Sequence, residues 1–341
     1  MTDQEMRNNA RKIIGDKCKV CPDCNGIACR GQVPGVGGKG LGNSFVRNRA
    51  KVLETKLNLD TLVSSGEIDT SITLFGKTFR FPIFAAPIGA VEINYHPSLN
   101  DLTYNERIVE GCRKAGIMAF TGDGAKLDYY VGPLKTIAEN DGLGVPTIKP
   151  WGNEAALKKI RLAEQHGVTA LAMDVDAAGL VLLAMAGTPV YNKSVDELKD
   201  LTSSTELPLI LKGIMTVDGA RKALKAGAAG IVVSNHGGRV LDDTPATIEM
   251  LAAISDAVGD KMTIFVDGGF RSGEDVLKAL ALGADAVLIG RPFAVAAYGG
   301  GAEGVCRYAE RIGQELKEAM IMTGCATLAD APGKCWQSTD R

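Results

Sequence analysis

The sequence predicts an α/β fold, a TIM (β/α)8 barrel carrying an N-terminal Cys- and Gly-rich extension. Three observations predict it. From about residue 80 onward, eight short apolar runs alternate with stretches of helical pattern. Charged and polar residues terminate nearly every run, whereas the run starts carry no comparable set. The length, 341 residues, suits a single barrel, which takes roughly 250 residues and often more.

In chain order the runs are "FPIFAAP", "GIMAFTG", "VPTIKP", "ALAMDVD", "LPLILKG", "GIVVSNH", "TIFVDGG" and "AVLIGRP". Each is short, continuous and rich in β-branched residues, the pattern of strands buried on both faces. Helical patterns such as "TVDGARKALKAGAAG" and "SGEDVLKALALGADA" lie between them. In the second, Ser272 stands three residues before Asp275 as a capping box, and Gly283 marks the stop. Strand and helix alternating eight times call for a parallel sheet, and eight units close it. A doubly wound open sheet is the alternative, and the even spacing favours closure. Residues 1–70 read as an extension holding a cysteine cluster and a barrel-covering segment, and residues 71–341 as the barrel.

Apolar residues make up 45% of the chain, enough for a large core. A net charge of −2 gives no reason to expect nucleic acid or an anionic membrane surface as partner. The start, "MTDQEMRNNARK", is polar and unlike a secretory signal. The longest strongly apolar stretch, Ala177 to Gly187, falls short of the roughly 20 residues that span a bilayer. The expectation is a soluble, cytoplasmic protein.

Barrels of this kind gather their chemistry at the C-terminal ends of the strands. Here those ends offer Pro87 with Ile88 and Gly89, Thr121 with Gly122, Lys149, Asp174 with Asp176, Lys212, Ser234 to His236, Asp267 to Arg271, and Gly290 with Arg291. In "VDGGFRSG", adjacent glycines and an arginine lead into a helix N-terminus, and "LIGRPF" offers another glycine and arginine. Loops after strands seven and eight form the usual phosphate site of this barrel. Arg271 and Arg291 add bidentate charge there. Lys212 follows an apolar run and needs an anionic partner if buried, which a phosphorylated cofactor gaining negative charge can supply. "GVGGKG", residues 35–40, matches a dinucleotide fingerprint, yet no apolar strand precedes it, so that reading is set aside. His96 reads as a solvated loop residue, His166 as a dipole partner at a helix C-terminus, and Tyr129 and Tyr130 as packing residues.

Four of eight cysteines sit in "CKVCPDCNGIAC": Cys18, Cys21, Cys24 and Cys29, spaced C-x2-C-x2-C-x4-C. Four thiolates so close can wrap one zinc ion or an iron–sulfur cluster. The alternative is four reduced thiols in a flexible arm. A secreted disulfide framework does not suit a chain of this size.

"SNHGGR", "DGGFRSG" and "IGRP", at this spacing, resemble the FMN-dependent α-hydroxy acid oxidase and dehydrogenase family, over roughly residues 70–330. The resemblance implies FMN as cofactor and a small-molecule 2-hydroxy acid as substrate. It implies that His236 is the base, taking the hydroxyl proton as hydride passes to the flavin or the α-proton in a carbanion route. Asp176 would pair with that histidine, Arg239 would hold the substrate carboxylate, and Lys212 would face the flavin N1 and C2 oxygen. Ser234, Asp267, Gly268, Gly269, Arg271, Gly290 and Arg291 would belong to the flavin site, its ribityl and phosphate part above all. Ala85, Ala86, Pro87 and Thr121 would line the ring. A homo-oligomer, specifically a tetramer, is implied too, and the electron acceptor stays unnamed.

The chain also departs from the family pattern. Where the family has Gln-x-Tyr after the third strand, Lys149 and Trp151 stand, with Trp151 a candidate wall of the substrate pocket. Where it has threonine two residues before the aspartate, Asp174 stands, able to pair with Lys149 beside the flavin. The family's N-terminal substrate-binding tyrosine has no match, and the segment from Asp176 to Lys212 is short. A cluster at the cysteines would give the flavin an outlet other than oxygen, so a dehydrogenase is expected over an oxidase. The competing readings are an FMN-dependent isomerase of the type 2 isopentenyl diphosphate isomerase kind, which has no need of the His-Arg pair, and a flavin or iron–sulfur electron carrier.

Overall fold

A computed structural model describes residues 1–64, 66–180, 183, 187 and 189–336. Every one of the eight apolar runs forms a strand: β1 (Ile83–Ala85), β2 (Ala119–Thr121), β3 (Gly144–Ile148), β4 (Leu171–Asp174), β5 (Leu209–Ile214), β6 (Gly230–Val233), β7 (Thr263–Asp267) and β8 (Ala286–Ile289). They are parallel, pair in sequence order, and close where β8 meets β1. Nearly all their residues are buried, so the runs are continuous rather than alternating. Phe84, Phe120 and Phe265, from β1, β2 and β7, meet with ring centroids 5.6–6.2 Å apart and fill the interior. A hairpin, Ile72–Leu74 with Lys77–Phe79, precedes β1, and its turn residue Phe75 stacks on Phe265.

Ser272 caps the helix Gly273–Ala281 by accepting from the Asp275 N–H at 3.3 Å, and Gly283 follows that helix with φ +93°. Asp275 does not close the capping box in return. Its carboxylate turns to Arg49 at 2.6 Å, because a buried guanidinium needs a counter-charge more than a half-buried N-cap needs a second bond.

The N-terminal residues lie against the barrel instead of forming a separate lobe. Helix α1 (Asp3–Ile14), capped by Thr2 and Glu5, buries Met6, Ala10 and Ile14 toward the long C-terminal helix Arg291–Thr323. Helix α2 (Asn43–Glu54) reaches the C-terminal ends of the strands, where Asn48 and Asn235 exchange side-chain bonds of 2.8 and 3.0 Å. Between α1 and α2 the chain runs through two short 3-10 turns, Gly15–Lys17 and Ile27–Cys29. Lys56–Leu57 pairs with Cys335–Trp336 and ties the extension to the far end of the chain. Among the described residues, no helix is long and apolar enough to cross a membrane.

Candidate active site

Because β4 and β5 are paired with Asp174 beside Lys212 in register, their charged ends meet. Lys212 Nζ lies 3.0 Å from Asp174 and 3.8 Å from Asp267. Lys149, just after β3, lies 2.5 Å from the other oxygen of Asp174. All four side chains are almost wholly buried, and two ammonium groups balance two carboxylates. Burial by itself would raise Asp174, but Lys149 and Lys212 outweigh it and hold the carboxyl well below its ordinary range. Burial would likewise lower Lys212, and Asp174, Asp176 and Asp267 carry it above its usual value instead. The lysine's anionic partner is therefore built into the barrel and does not wait for a cofactor. At Asp267 desolvation prevails, and its carboxyl is raised.

His236 stands just beyond β6 with φ +57°, a conformation costly for a non-glycine residue and found at functional sites. Its backbone N–H donates to Ser234 Oγ at 3.0 Å, which helps hold that turn. Its Nδ1 lies 3.0 Å from Asp176 Oδ1. A carboxylate accepts, so the proton sits on Nδ1 and leaves the Nε2 lone pair free. Asp176 comes from the turn after β4, Val175–Gly179. It fits only because β5 breaks register at Gly213, where φ is +105° and a Cβ would lie 2.5 Å from the aspartate side chain.

Three arginines form the other half of the site. Arg239 donates from Nη1 to the carbonyls of Gly35 (2.7 Å) and Gly37 (3.0 Å), and from Nη2 to Asn94 Oδ1 (3.1 Å). Arg291 donates to the carbonyls of Val36, Gly37 and Gly237 and lies over the Phe45 ring at 3.6 Å. Arg271 donates to the carbonyls of Cys24 and Phe270. Among the described residues, no carboxylate pairs with any of the three. Carbonyl dipoles orient a guanidinium without cancelling its charge, so the group is primed for anions. Burial, with Arg291 adding to it, pulls Arg239 down to about 10, the signature of a cation short of a counter-ion.

The residues fit FMN. Thr121 Oγ1, Thr147 Oγ1 and Asp176 Oδ2 are buried at or near strand ends with no protein partner, as groups awaiting a polar ring would be. Ala85, Ala86 and Pro87 would wall the ring at the end of β1, and Lys149 and Lys212, both on Asp174, would place cations near it. Arg271 and Arg291 line a common cavity of about 670 Å³, and with their chain neighbours Gly269 and Gly290 they would hold a phosphate. Arg271→Ala should weaken FMN by about 1.5–3 kcal/mol, the worth of a bond to a charged group. Fluorescence titration of the apoprotein measures it, and unchanged affinity would remove Arg271 from the phosphate site.

Other expectations are corrected or refined. Trp151 is buried with its indole N–H given to Asp123 Oδ2 at 2.7 Å, so it can wall a pocket but has no donor to offer. Asp123 was overlooked in the sequence. It also accepts from the Lys149 backbone N–H, Lys159 Nζ and the Gly124 N–H, fixing the loop that presents Lys149. Its signal was available, a charged residue two places past a strand. His166 bonds the Leu162 carbonyl at its helix end, as expected. His96 takes the Ser98 N–H, well away from His236 in its contacts. The residues 35–40 stretch is no dinucleotide loop but a turn against the mouth, with Lys39 N–H bonded to the Gly238 carbonyl. A single zinc at the cysteines is not supported. Tetrahedral zinc draws its thiolates to about 3.8 Å from one another, given bonds of about 2.3 Å. Among the described residues, the one group of three ligand atoms all within 4.8 Å of one another is Asp174, Asp176 and His236.

The closed barrel, the anion-seeking arginines, the buried lysine and the carboxylate-held histidine at its mouth fit a flavin-dependent oxidoreductase. The sequence profile of the FMN-dependent dehydrogenase family matches residues 36–182 and 184–338, and the chain belongs to that family. It is 32% identical to 4-hydroxymandelate oxidase of Amycolatopsis orientalis, over 89% of this chain and 94% of the relative. It is 36% identical to an L-lactate oxidase of Lacticaseibacillus rhamnosus, over 77% of each. A crystal structure of mandelate oxidase superimposes with a TM-score of 0.82 at 28% identity, covering 98% of this chain and 97% of that one. The protein uses FMN and is an oxidoreductase of 2-hydroxy acids.

Proposed function

We propose that this chain dehydrogenates a 2-hydroxy acid to the 2-oxo acid, with His236 as base and Arg239 on the carboxylate, and passes its electrons to an acceptor other than oxygen. The observation that carries the catalytic part is the His236–Asp176 pair, 3.0 Å apart, with His236 on the strand end it shares with Arg239. Bound FMN supplies the two-electron acceptor. His236 Nε2 takes a proton from the substrate, and Asp176 stabilises the imidazolium that results. Lys212 places a fixed positive charge where the family resemblance puts the flavin edge that gains negative charge on reduction. The isomerase reading is not favoured, since an uncompensated arginine three residues from the base suits an acid substrate.

The relatives named above are oxidases, and the preference for another acceptor rests on the cysteine arm alone. One experiment tests both parts. The FMN-loaded enzyme is mixed anaerobically with a panel of aliphatic and aromatic 2-hydroxy acids, and flavin absorbance is followed. Bleaching by at least one acid is the expected result, and no bleaching by any would overturn the hydroxy-acid chemistry. Air is then admitted. Slow reoxidation is expected, whereas reoxidation as fast as turnover would make the protein an oxidase and leave the rest intact.

A further inference from the structure

Outside the flavin site, the strongest unexplained feature is the arm from Cys18 to Cys29. It precedes the family match, which begins at residue 36. All four of its cysteines are half-buried, none is in a disulfide, and all four line the same cavity of about 670 Å³. We infer that Cys18, Cys21, Cys24 and Cys29 ligate one iron–sulfur cluster of the four-iron type, at the cationic rim of the flavin site.

The arm has almost no regular structure of its own. Arginines hold it by its outward carbonyls. Arg7 bonds the carbonyls of Val20 and Pro22, Arg11 those of Lys19 and Val20, and Arg271 that of Cys24. Arg49 takes the Asp23 side chain at 2.7 Å. A trans peptide points its N–H opposite to its carbonyl, and at the Lys19 carbonyl, held by Arg11, this turns the Val20 N–H to Cys18 Sγ, 3.4 Å away. Bonds of this kind to sulfur tune and stabilise bound clusters.

The return of the fourth cysteine is also built in. Gly26 has φ +84°, and a Cβ there would lie 2.6 Å from the Phe45 ring. The turn at Gly26 feeds the 3-10 turn Ile27–Cys29 and brings Cys29 back to the shared cavity. This accounts for the four-residue gap, which differs from a run whose fourth cysteine serves a second cluster.

Charge and size agree. Arg7, Arg11, Arg271 and Arg291 line the cavity with no carboxylate partner among the described residues, whereas Arg49 and Arg311 are paired with acids; the lining is still net positive, and a four-thiolate cluster is anionic. The FMN phosphate accounts for Arg271 and Arg291 but has no use for four thiols. The sulfurs are too far apart for one ion, as shown above. A four-iron cluster places iron and sulfide between its thiolates and so spaces them more widely.

The test is the full-length protein, produced with cluster-assembly capacity and purified anaerobically. Iron, acid-labile sulfide, zinc and FMN are measured per chain, and the dithionite-reduced protein is examined by EPR. The expected result is about four iron and four sulfide per chain with a reduced-cluster EPR signal. Cys21→Ser with Cys24→Ser should abolish the signal, and Cys306→Ser, outside the arm, should leave it. Stoichiometric zinc, or metal-free protein with FMN bound and failed iron–sulfide reconstitution, would overturn the inference. Should the double variant fail to fold, the wild-type iron, sulfide and EPR values decide alone. These readouts do not use substrate, so they stand or fall separately from the hydroxy-acid reading.

Discussion

His236→Gln should keep its FMN and its melting temperature yet lose substrate-driven flavin reduction by about 10²- to 10⁴-fold, the usual cost of removing a general base. Glutamine is neutral, similar in reach, and can still bond Asp176, so the barrel mouth stays assembled. The measurement is stopped-flow bleaching under nitrogen with the acid found by the screen. FMN content comes from the released cofactor. A variant that bleaches at the wild-type rate would show that the proton goes elsewhere, and the Asp176 contact would then be structural only.

Lys212→Met should be the most destabilising single change in the site. The ammonium sits 3.0 Å from Asp174 and 3.8 Å from Asp267, with both partners buried. Breaking a buried pair from one side typically costs about 3–5 kcal/mol, because a charge is left without compensation. The sign follows from the directions of the shifts. Asp174 is held ionised by two lysines, and losing one leaves Lys149 to balance it alone while Asp267 loses its cation. Thermal unfolding should show a clear drop, and Lys212→Met with Asp174→Asn should recover part of it. Equal melting for wild type and Lys212→Met would mean that the network does not hold the barrel mouth together.

The barrel was legible because parallel strands with helices outside bury both faces, leaving runs such as "GIVV" and "AVLI" that no other element explains. The pairing of Lys149 with Asp174 was also readable, because the ends of β3 and β4 are neighbours by topology. That of Asp176 with His236, from the ends of β4 and β6, came from the family resemblance, since those strands are not adjacent. Less could be read where backbone atoms do the work. The carbonyls of Gly35, Val36 and Gly37 take the Arg239 and Arg291 guanidinium groups, and a carbonyl is present at every residue, so no side-chain pattern announces the contact. The reach of Arg49 to Asp275, across more than 200 positions, has the same character: it depends on how α2 lies across the strand ends. Nor could spacing alone separate a single zinc from a cluster, since both use closely spaced cysteines, and only the arrangement of sulfurs round a cavity tells them apart.

The glycine turn over Arg239 acts as a jig. A guanidinium has five N–H donors. Gly35, Gly37 and Asn94 engage three of them, all from the two terminal nitrogens. Among the described residues, Nε–H has no partner, so it and one Nη2 hydrogen remain, both in the plane of the guanidinium. Two oxygens of a carboxylate match that pair, whereas an ester or amide presents a single good acceptor. Immobilising a long side chain on binding costs about 0.5–1.5 kcal/mol, and here folding has already met that cost. With Arg239 holding the carboxylate, as proposed above, the turn would sort free acids from their neutral derivatives before any chemistry begins, through residues that need not touch the acid themselves.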